Sequence, residues 1–259
     1  MPIDRQSPNA DLKNHSFAFW QSALGLTNAE MLCSQHVISH LGHYLSKSDE
    51  QSIFHFTHLA NGKQVLALPE KIRPLLASID LNENRTLIDA AILAAGFVEQ
   101  YRDIDYHLEQ INSLKRINNS IQHLNSNSPL FKGLLPDFLR QQTAEDRDIL
   151  DLEEDDEAIA LVADGAIQAI ARYVPLKLSP LIADITVLVS PLARQGQLAT
   201  MVVSRLCELI LSRGLIPRYR VAHHHSASIK VAEKLGFTPQ FTITAWRIKA
   251  GDSPSNINA

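Results

Sequence analysis

The sequence predicts a mixed α/β protein: a mostly antiparallel sheet flanked by helices, preceded by a smaller, mainly helical N-terminal domain with a β-hairpin. Three observations carry that expectation. The second half alternates short apolar runs with helical-period ones, from AIALVAD at residue 158 to a last strand ending at Ile248. Two turn dipeptides, Asn61-Gly62 and Asp164-Gly165, stand between strand-like runs and mark hairpins. Between the halves lies NSLKRINNSIQHLNSNSPLFKG, rich in Asn and Ser, whose later part reads as a linker or surface loop. The domains are therefore placed at 1–130 and 131–250, with a flexible tail at 251–259.

Composition bounds the function. The chain has 259 residues, 45% hydrophobic and 20% charged, which suits a soluble globular protein. A formal net charge of -4 gives no basic footprint for nucleic acid. No apolar run is long enough to span a bilayer, and MPIDRQSPNADLKNHSF has no apolar core of the signal-peptide kind. Cys33 and Cys207 lie far apart in apolar-periodic stretches, so reduced, buried thiols and a cytoplasmic location are expected rather than a disulfide or a nucleophile.

Taken in order, residues 16–45 have helical apolar spacing. SIFHFTHLANGKQVLALP reads as a hairpin about Asn61-Gly62 that Pro69 stops, and EKIRPLLASI as a short helix. Residues 86–100 look like a buried helix and 105–124 like a more polar one. His55 and His58 read as surface or half-buried strand residues. In the second half Thr143 is a candidate N-cap with a carboxylate, Asp146, three residues on. LEEDDE is a solvated face or an attraction for a cationic substrate. AIALVAD and AIQAIARYV form a hairpin; LIADITVLVS is a strand buried on both faces. LATMVVSRLCELILSR is an amphipathic helix ended by Gly214, and IPRYRVA a further strand. SASIKVAEKLG is a helix capped by Ser226 or Ser228 and ended by Gly236, before a final strand in FTPQFTITAWRI.

The corner SPLARQGQLA, between a buried strand and a long helix, has the parts of an anion site. The first N–H groups of a helix lack intrahelical partners, and the macrodipole adds partial positive charge there. A phosphate accepts several of these bonds at once, and Arg194 adds a cation with planar donors. Turn geometry alone also explains an Arg and a Gly at such a corner.

The order of motifs resembles the GNAT superfamily of N-acetyltransferases over about residues 140–250. Arg194-Gln195-Gly196-Gln197-Leu198-Ala199 is similar to the family's acyl-CoA pyrophosphate loop, His225-Ser226-Ala227-Ser228 to its Asn-x-x-Ser/Ala segment, and Val231 to Phe237 (VAEKLGF) to its last helix end. The resemblance implies acetyl-CoA as co-substrate, held by Arg194, Gln195, Gly196, Gln197, Leu198, Ala199, His225 and Ser228, and a backbone N–H near Leu188 or Val189 for the thioester carbonyl. Three departures stand out: Gln197 replaces the expected glycine, His225 the asparagine, and Ala232 the tyrosine that acts as general acid in many members.

Acetyl transfer needs a neutral amine, a donor for the carbonyl oxygen and a path for the proton. Asp184, the carboxylate inside the central strand, is the first candidate base; the alternatives are a salt bridge, for example to Arg172 or Arg220, or exposure at the strand's start. Tyr173 and Tyr219 are candidate acids, or packing residues with satisfied hydroxyls. His223, His224 and His225 make a poor zinc signature and read as loop residues, a CoA contact or a proton relay; no metal is expected. The expected function is acetyl-CoA-dependent N-acetylation of a primary amine on a small molecule or peptide. The alternative is a non-catalytic acyl-CoA-binding or regulatory module. Nucleic acid and membrane are not expected partners, and a homo-oligomer is left open.

Overall fold

The computed structural model describes residues 18–32, 37–39, 51–77, 79–80, 82–108, 121–125, 128–150, 152, 157–176, 179–194 and 197–248. They fall into two compact units. One takes in residues 18–106, Arg220–His225 and 239–248; the other His107–Tyr219 and Ser226–Thr238.

The unit holding most of the first half opens with α1 (18–24) and α2 (Asn28–Leu32), where a helix is expected. Val37–Ser39 is instead a strand, β1, because its β-favouring Val-Ile pair finds a parallel partner in Val65–Ala67. The hairpin forms as read: β2 (Ser52–His58) and β3 (Gln64–Ala67) flank Gly62 at φ +71°, and Asn61 Oδ1 accepts the Lys63 N–H at 3.0 Å. Glu70–Leu76 is a 3-10 helix with Pro74 inside it. The helix expected over 86–100 is shorter. In α3 (Arg85–Ala94) the Asn84 side chain caps the start, accepting the Leu87 N–H at 3.2 Å. Gly96, at φ +89°, then turns the chain into β4 (Phe97–His107), which also replaces the start of the polar helix expected over 105–124. Residues 109–120 lie outside the described residues. Ile53, Leu66, Leu68, Ile72, Ile88, Phe97 and Trp246 make this unit's core.

The other unit begins with β5 (Ile121–Asn125), also inside the span expected to be helical. Next come α4 (Pro129–Arg140), with Ser128 accepting the Phe131 N–H at 3.1 Å, and α5 (Ala144–Leu150), with Thr143 Oγ1 accepting the Asp146 N–H at 3.0 Å. β6 (Glu157–Ala163) and β7 (Ala166–Leu176) join through Asp164 at φ 52° and Gly165 at φ 71°, the two left-handed residues a tight hairpin needs. β8 (Ser179–Val189) leads through a 3-10 turn (Pro191–Ala193) into α6 (Leu198–Ser212). Gly214, at φ 73°, ends that helix. β9 (Ile216–Ala222), α7 (Ser226–Lys234) and β10 (Thr238–Ile248) complete the order.

Strand order in this unit is β9-β8-β7-β6-β5, antiparallel except for β8–β9. In the first-half unit it is β1-β3-β2-β10-β4. Phe131, Phe138 and Leu150 pack with Ala158, Ala160, Ile170 and Leu188, so α4 and α5 cover one face of β6–β8. Tyr173, of opposite parity, meets Arg213 at the end of α6, which covers the other face. Mixed α/β architecture with mostly antiparallel strands is thus as expected. A mainly helical N-terminal domain is not what the described residues form, since 18–107 contribute β1 to β4 beside α1, α2 and α3.

Candidate active site

The site is built from a gap in the sheet. β8 and β9 pair only from Ile182↔Ile216 to Asp184↔Arg218, although β8 continues to Val189. Beyond Asp184 one edge of β8 has no described pairing to β9. Strand alternation says which groups face that edge. The Ser190 N–H donates to Gln168 O at 2.8 Å, so even-numbered N–H groups, Leu188 among them, point to β7. Those of Val187 and Val189 point the other way, into the gap. Of Leu188 and Val189, Val189 is the one whose N–H points into the gap.

At the open end of β8 stands the start of α6. Its first intrahelical bond runs from the Met201 N–H to Gln197 O at 3.1 Å. The N–H groups of Leu198, Ala199 and Thr200 therefore have no acceptor within the helix. The cap is Gln197 at φ 60°, ψ 12°, a left-handed conformation that a glycine adopts without strain; its side chain caps nothing, and no acidic residue occupies the first turn. Lys234 Nζ, at the end of α7, instead donates to Gln197 Oε1 at 2.5 Å. Arg194 is exposed, with Nη2 3.6 Å from Asp146 Oδ2. Gln195 and Gly196 lie outside the described residues. The α4–α5 turn also reaches this end, since Ser190 Oγ donates to Gln141 Oε1 at 2.9 Å. Next to it Gln142 is buried, and neither atom of its side-chain amide has a partner among the described residues.

Asp184 closes the gap at its paired end. Its Oδ2 lies 3.4 Å from Nη1 of Arg218, which is 2% exposed against 28% for the aspartate. Asp184 Oδ1 is buried without a hydrogen-bond partner among the described residues. The salt bridge weighed from the sequence thus exists, but with Arg218 rather than Arg172 or Arg220. Arg220 faces Asp103 at 3.5 Å. Tyr173 is opposite Ile185 and Asp184 opposite Val174, so the two candidate catalytic side chains lie on opposite faces of the sheet. The Tyr173 hydroxyl accepts from Arg213, past the far end of α6 from the corner. Tyr219 is buried against Phe237, and burial pushes its pKa up to about 12 despite the hydrogen bond to Ser228. Ser228 is therefore engaged with Tyr219. Ala232 is fully buried. His225 donates its N–H to Ala222 O at 2.8 Å, and His223 Nδ1 lies 3.0 Å from Arg102 O. Burial pushes the Cys207 thiol far above its ordinary pKa, which fits a packing residue.

Sequence reading missed a polar cluster in the first half. His55, expected at the surface or half-buried, is fully buried because its ring has partners: Nδ1 lies 2.9 Å from Asp89 Oδ1 and Nε2 3.0 Å from Gln64 Oε1. Asp89 also meets Arg102 at 3.0 Å and Arg85 at 3.6 Å. Burial lowers the His55 pKa against the pull of Asp89 and Gln64. Burial would raise the pKa of Asp89, but His55, Arg85 and Arg102 together hold it below its ordinary value. His58 is half-buried, its ring 4.9 Å from Phe241. Arg218 and Lys234 were missed as well. Strand register pairs Arg218 with Asp184; the VAEKLGF motif contains Lys234 without showing where its ammonium goes.

Residues 162–246 match the family GNAT acetyltransferase. A search of curated proteins gives no match. Among solved structures, the chain is similar to a GNAT-family acetyltransferase from Colwellia psychrerythraea (13% identity, 96% of this chain and 100% of that one, TM-score 0.49). It is also similar to a putative GNAT acetyltransferase from Novosphingobium aromaticivorans (16% identity, 60% and 69%, TM-score 0.43). Among the described residues no helix is long and apolar enough to cross a membrane.

Proposed function

We propose that the chain, whose residues 162–246 match the GNAT acetyltransferase family, is an acetyl-CoA-dependent N-acetyltransferase acting on a primary amine of a small molecule or peptide, with 131–250 as its catalytic region. The observation that carries this is the edge of β8 left unpaired to β9 beyond Asp184, which leads to a helix start with three N–H groups that lack an acceptor within the helix.

In this reading the acetyl-CoA diphosphate takes the N–H groups of Leu198, Ala199 and Thr200 together with Arg194. Gln195, Gly196, His225 and Ser228 remain proposed contacts from the resemblance. The thioester carbonyl accepts from the Val189 N–H, which stabilises the oxyanion as the neutral amine adds to the carbonyl carbon. The C–N bond forms, the C–S bond then breaks, and CoA leaves as the thiolate. Asp184 is five residues from Val189, about 17 Å along an extended strand. Asp184 is thus beyond the reach of one bridging water, and its role as the base requires a chain of several waters to carry the amine's proton to it. Positioning supplies much of the remaining rate.

The second reading, a non-catalytic acyl-CoA-binding module, is favoured by the occupied state of every candidate acid: Tyr173 is held by Arg213 and Tyr219 by Ser228. The test is calorimetric titration with acetyl-CoA and CoA, then thiol release over a panel of amines. Binding with turnover supports the enzyme; binding without turnover on any amine supports the module; no binding removes both.

A further inference from the structure

We propose that Gln142 is a specificity-determining contact for the acceptor: its buried side-chain amide hydrogen-bonds a carboxamide or peptide group next to the amine, so aminoacyl amides and peptide N-termini are preferred over plain alkylamines. The proposal rests on the acetyltransferase reading above and narrows its acceptor class.

The argument starts from the two faces of the sheet. Asp184, Thr186, Leu188 and Ser190 alternate onto one face of β8 and its extension. Leu188 packs with Phe131, Phe138 and Leu150, so that face is the one α4 and α5 cover. The opposite face belongs to α6, whose start holds the donor's diphosphate in the reading above. With the donor on the α6 side of the gap, the side of α4, α5 and Asp184 is left for the amine.

Gln142 lies in the turn between α4 and α5. Gln141, just before it, accepts from Ser190 Oγ at 2.9 Å, so the turn stands beside the residue that follows Val189. Gln141 is exposed, whereas Gln142 is 6% exposed. The Gln142 backbone N–H donates to Leu139 O at 3.1 Å, but side-chain Nε2 and Oε1 have no hydrogen-bond partner among the described residues. A primary amide offers two donors and an acceptor, and burying it unused destabilises the fold. Buried polar groups are nearly always bonded, and an apolar side chain at this position avoids the penalty altogether.

A ligand that removes the penalty must present both kinds of atom. A carboxamide or peptide group does so, with a C=O for Nε2 and an N–H for Oε1. A plain alkylamine offers neither once its nitrogen is committed to the carbonyl carbon. A carboxylate satisfies Nε2 and leaves Oε1 against a second acceptor. A buried water satisfies both atoms as well and is separated by the test.

The experiment measures kcat/KM of wild type, Gln142→Met and Gln142→Leu with alaninamide, alanine and isopropylamine, each rate expressed per neutral amine, together with acetyl-CoA affinity and a melting curve. Wild type is expected to favour alaninamide over both others by about 10- to 100-fold, the consequence of leaving a buried polar group unpaired. Both variants are expected to lose about that factor with alaninamide and to keep the wild-type rate with isopropylamine and the wild-type affinity for acetyl-CoA. They are expected to melt at or above the wild-type temperature, because an unpartnered buried amide is gone. Variants that keep the alaninamide preference assign the amide to a buried water. An equal loss on all amines with weakened acetyl-CoA binding assigns it to the donor, and variants that melt lower assign it a structural role. Each of these overturns the proposal while wild-type turnover keeps the acetyltransferase reading. A wild type without the alaninamide preference, or inactive on all three amines, also overturns it, and thiol release over the wider amine panel then shows whether the acetyltransferase reading falls with it.

Discussion

Replacing Asp184 by asparagine separates the roles of the carboxylate at the closed end of the gap. The substitution keeps size and shape and removes the charge. Two effects are expected, and they are read by different assays. The first is on stability. Asp184 Oδ2 and Arg218 Nη1 are 3.4 Å apart. At an effective dielectric of 20 a pair at that distance interacts by about 5 kcal/mol before desolvation is counted. The aspartate is 28% exposed, which screens the pair, while Arg218 at 2% cannot recover its hydration when the charge goes. A net loss of about 2 kcal/mol follows, below the 3–5 typical of fully buried pairs. For a chain of this size that lowers the melting temperature by roughly 4–8 °C. The second effect is on turnover. A general base acting through a chain of waters contributes no more than the lower end of the usual range, so kcat is expected to fall by up to about 100-fold with acetyl-CoA affinity unchanged. Urea or thermal melts read the first effect; thiol release and calorimetry read the second. A destabilised Asp184→Asn protein with wild-type kcat would refute the base and leave only an ion pair. An inactive one with an unchanged melt would refute the electrostatic account of Arg218.

Asp89→Asn removes the carboxylate shared by His55, Arg85 and Arg102 and is expected to cost about 3 kcal/mol in urea melts, whereas Asp137→Asn, in an exposed pair with Arg140, costs under about 0.5. His55 has a folded pKa lowered from 6.5, so the unfolded chain binds its proton first and stability falls as pH drops through about 6.5 toward the folded value. His55→Asn flattens that part of the stability–pH profile, and an unchanged slope would assign it to other groups. Arg194→Glu places a negative charge beside the α6 start and is expected to weaken acetyl-CoA binding at least ten-fold by calorimetry; unchanged affinity removes Arg194 from the cradle.

The sequence by itself determined the order of elements from residue 157 to 248, because each has a local physical cause. Asp164-Gly165 and Gly214 supply positive φ where turns and caps demand it, and apolar periods of two and of 3.6 residues separate strand from helix. It also placed the corner with Arg194 and Gln197, and through three ordered motifs the family matched over 162–246. In the first half the local signal misled. Val37–Ser39 is a strand because β3 lies beside it, and the run from 86 divides at Gly96 into α3 and β4. Only the tertiary structure decided what each polar side chain meets. Asp184 pairs with Arg218 through the register of two strands more than thirty residues apart in sequence. The same ladder sends Tyr173 to the opposite face, and Lys234 reaches Gln197 from another helix. His55 is buried by partners on β3 and α3. Caps and periodicity act within a few residues and leave a trace in the sequence. Charge pairing acts between residues that only folding brings together, and no local pattern records it.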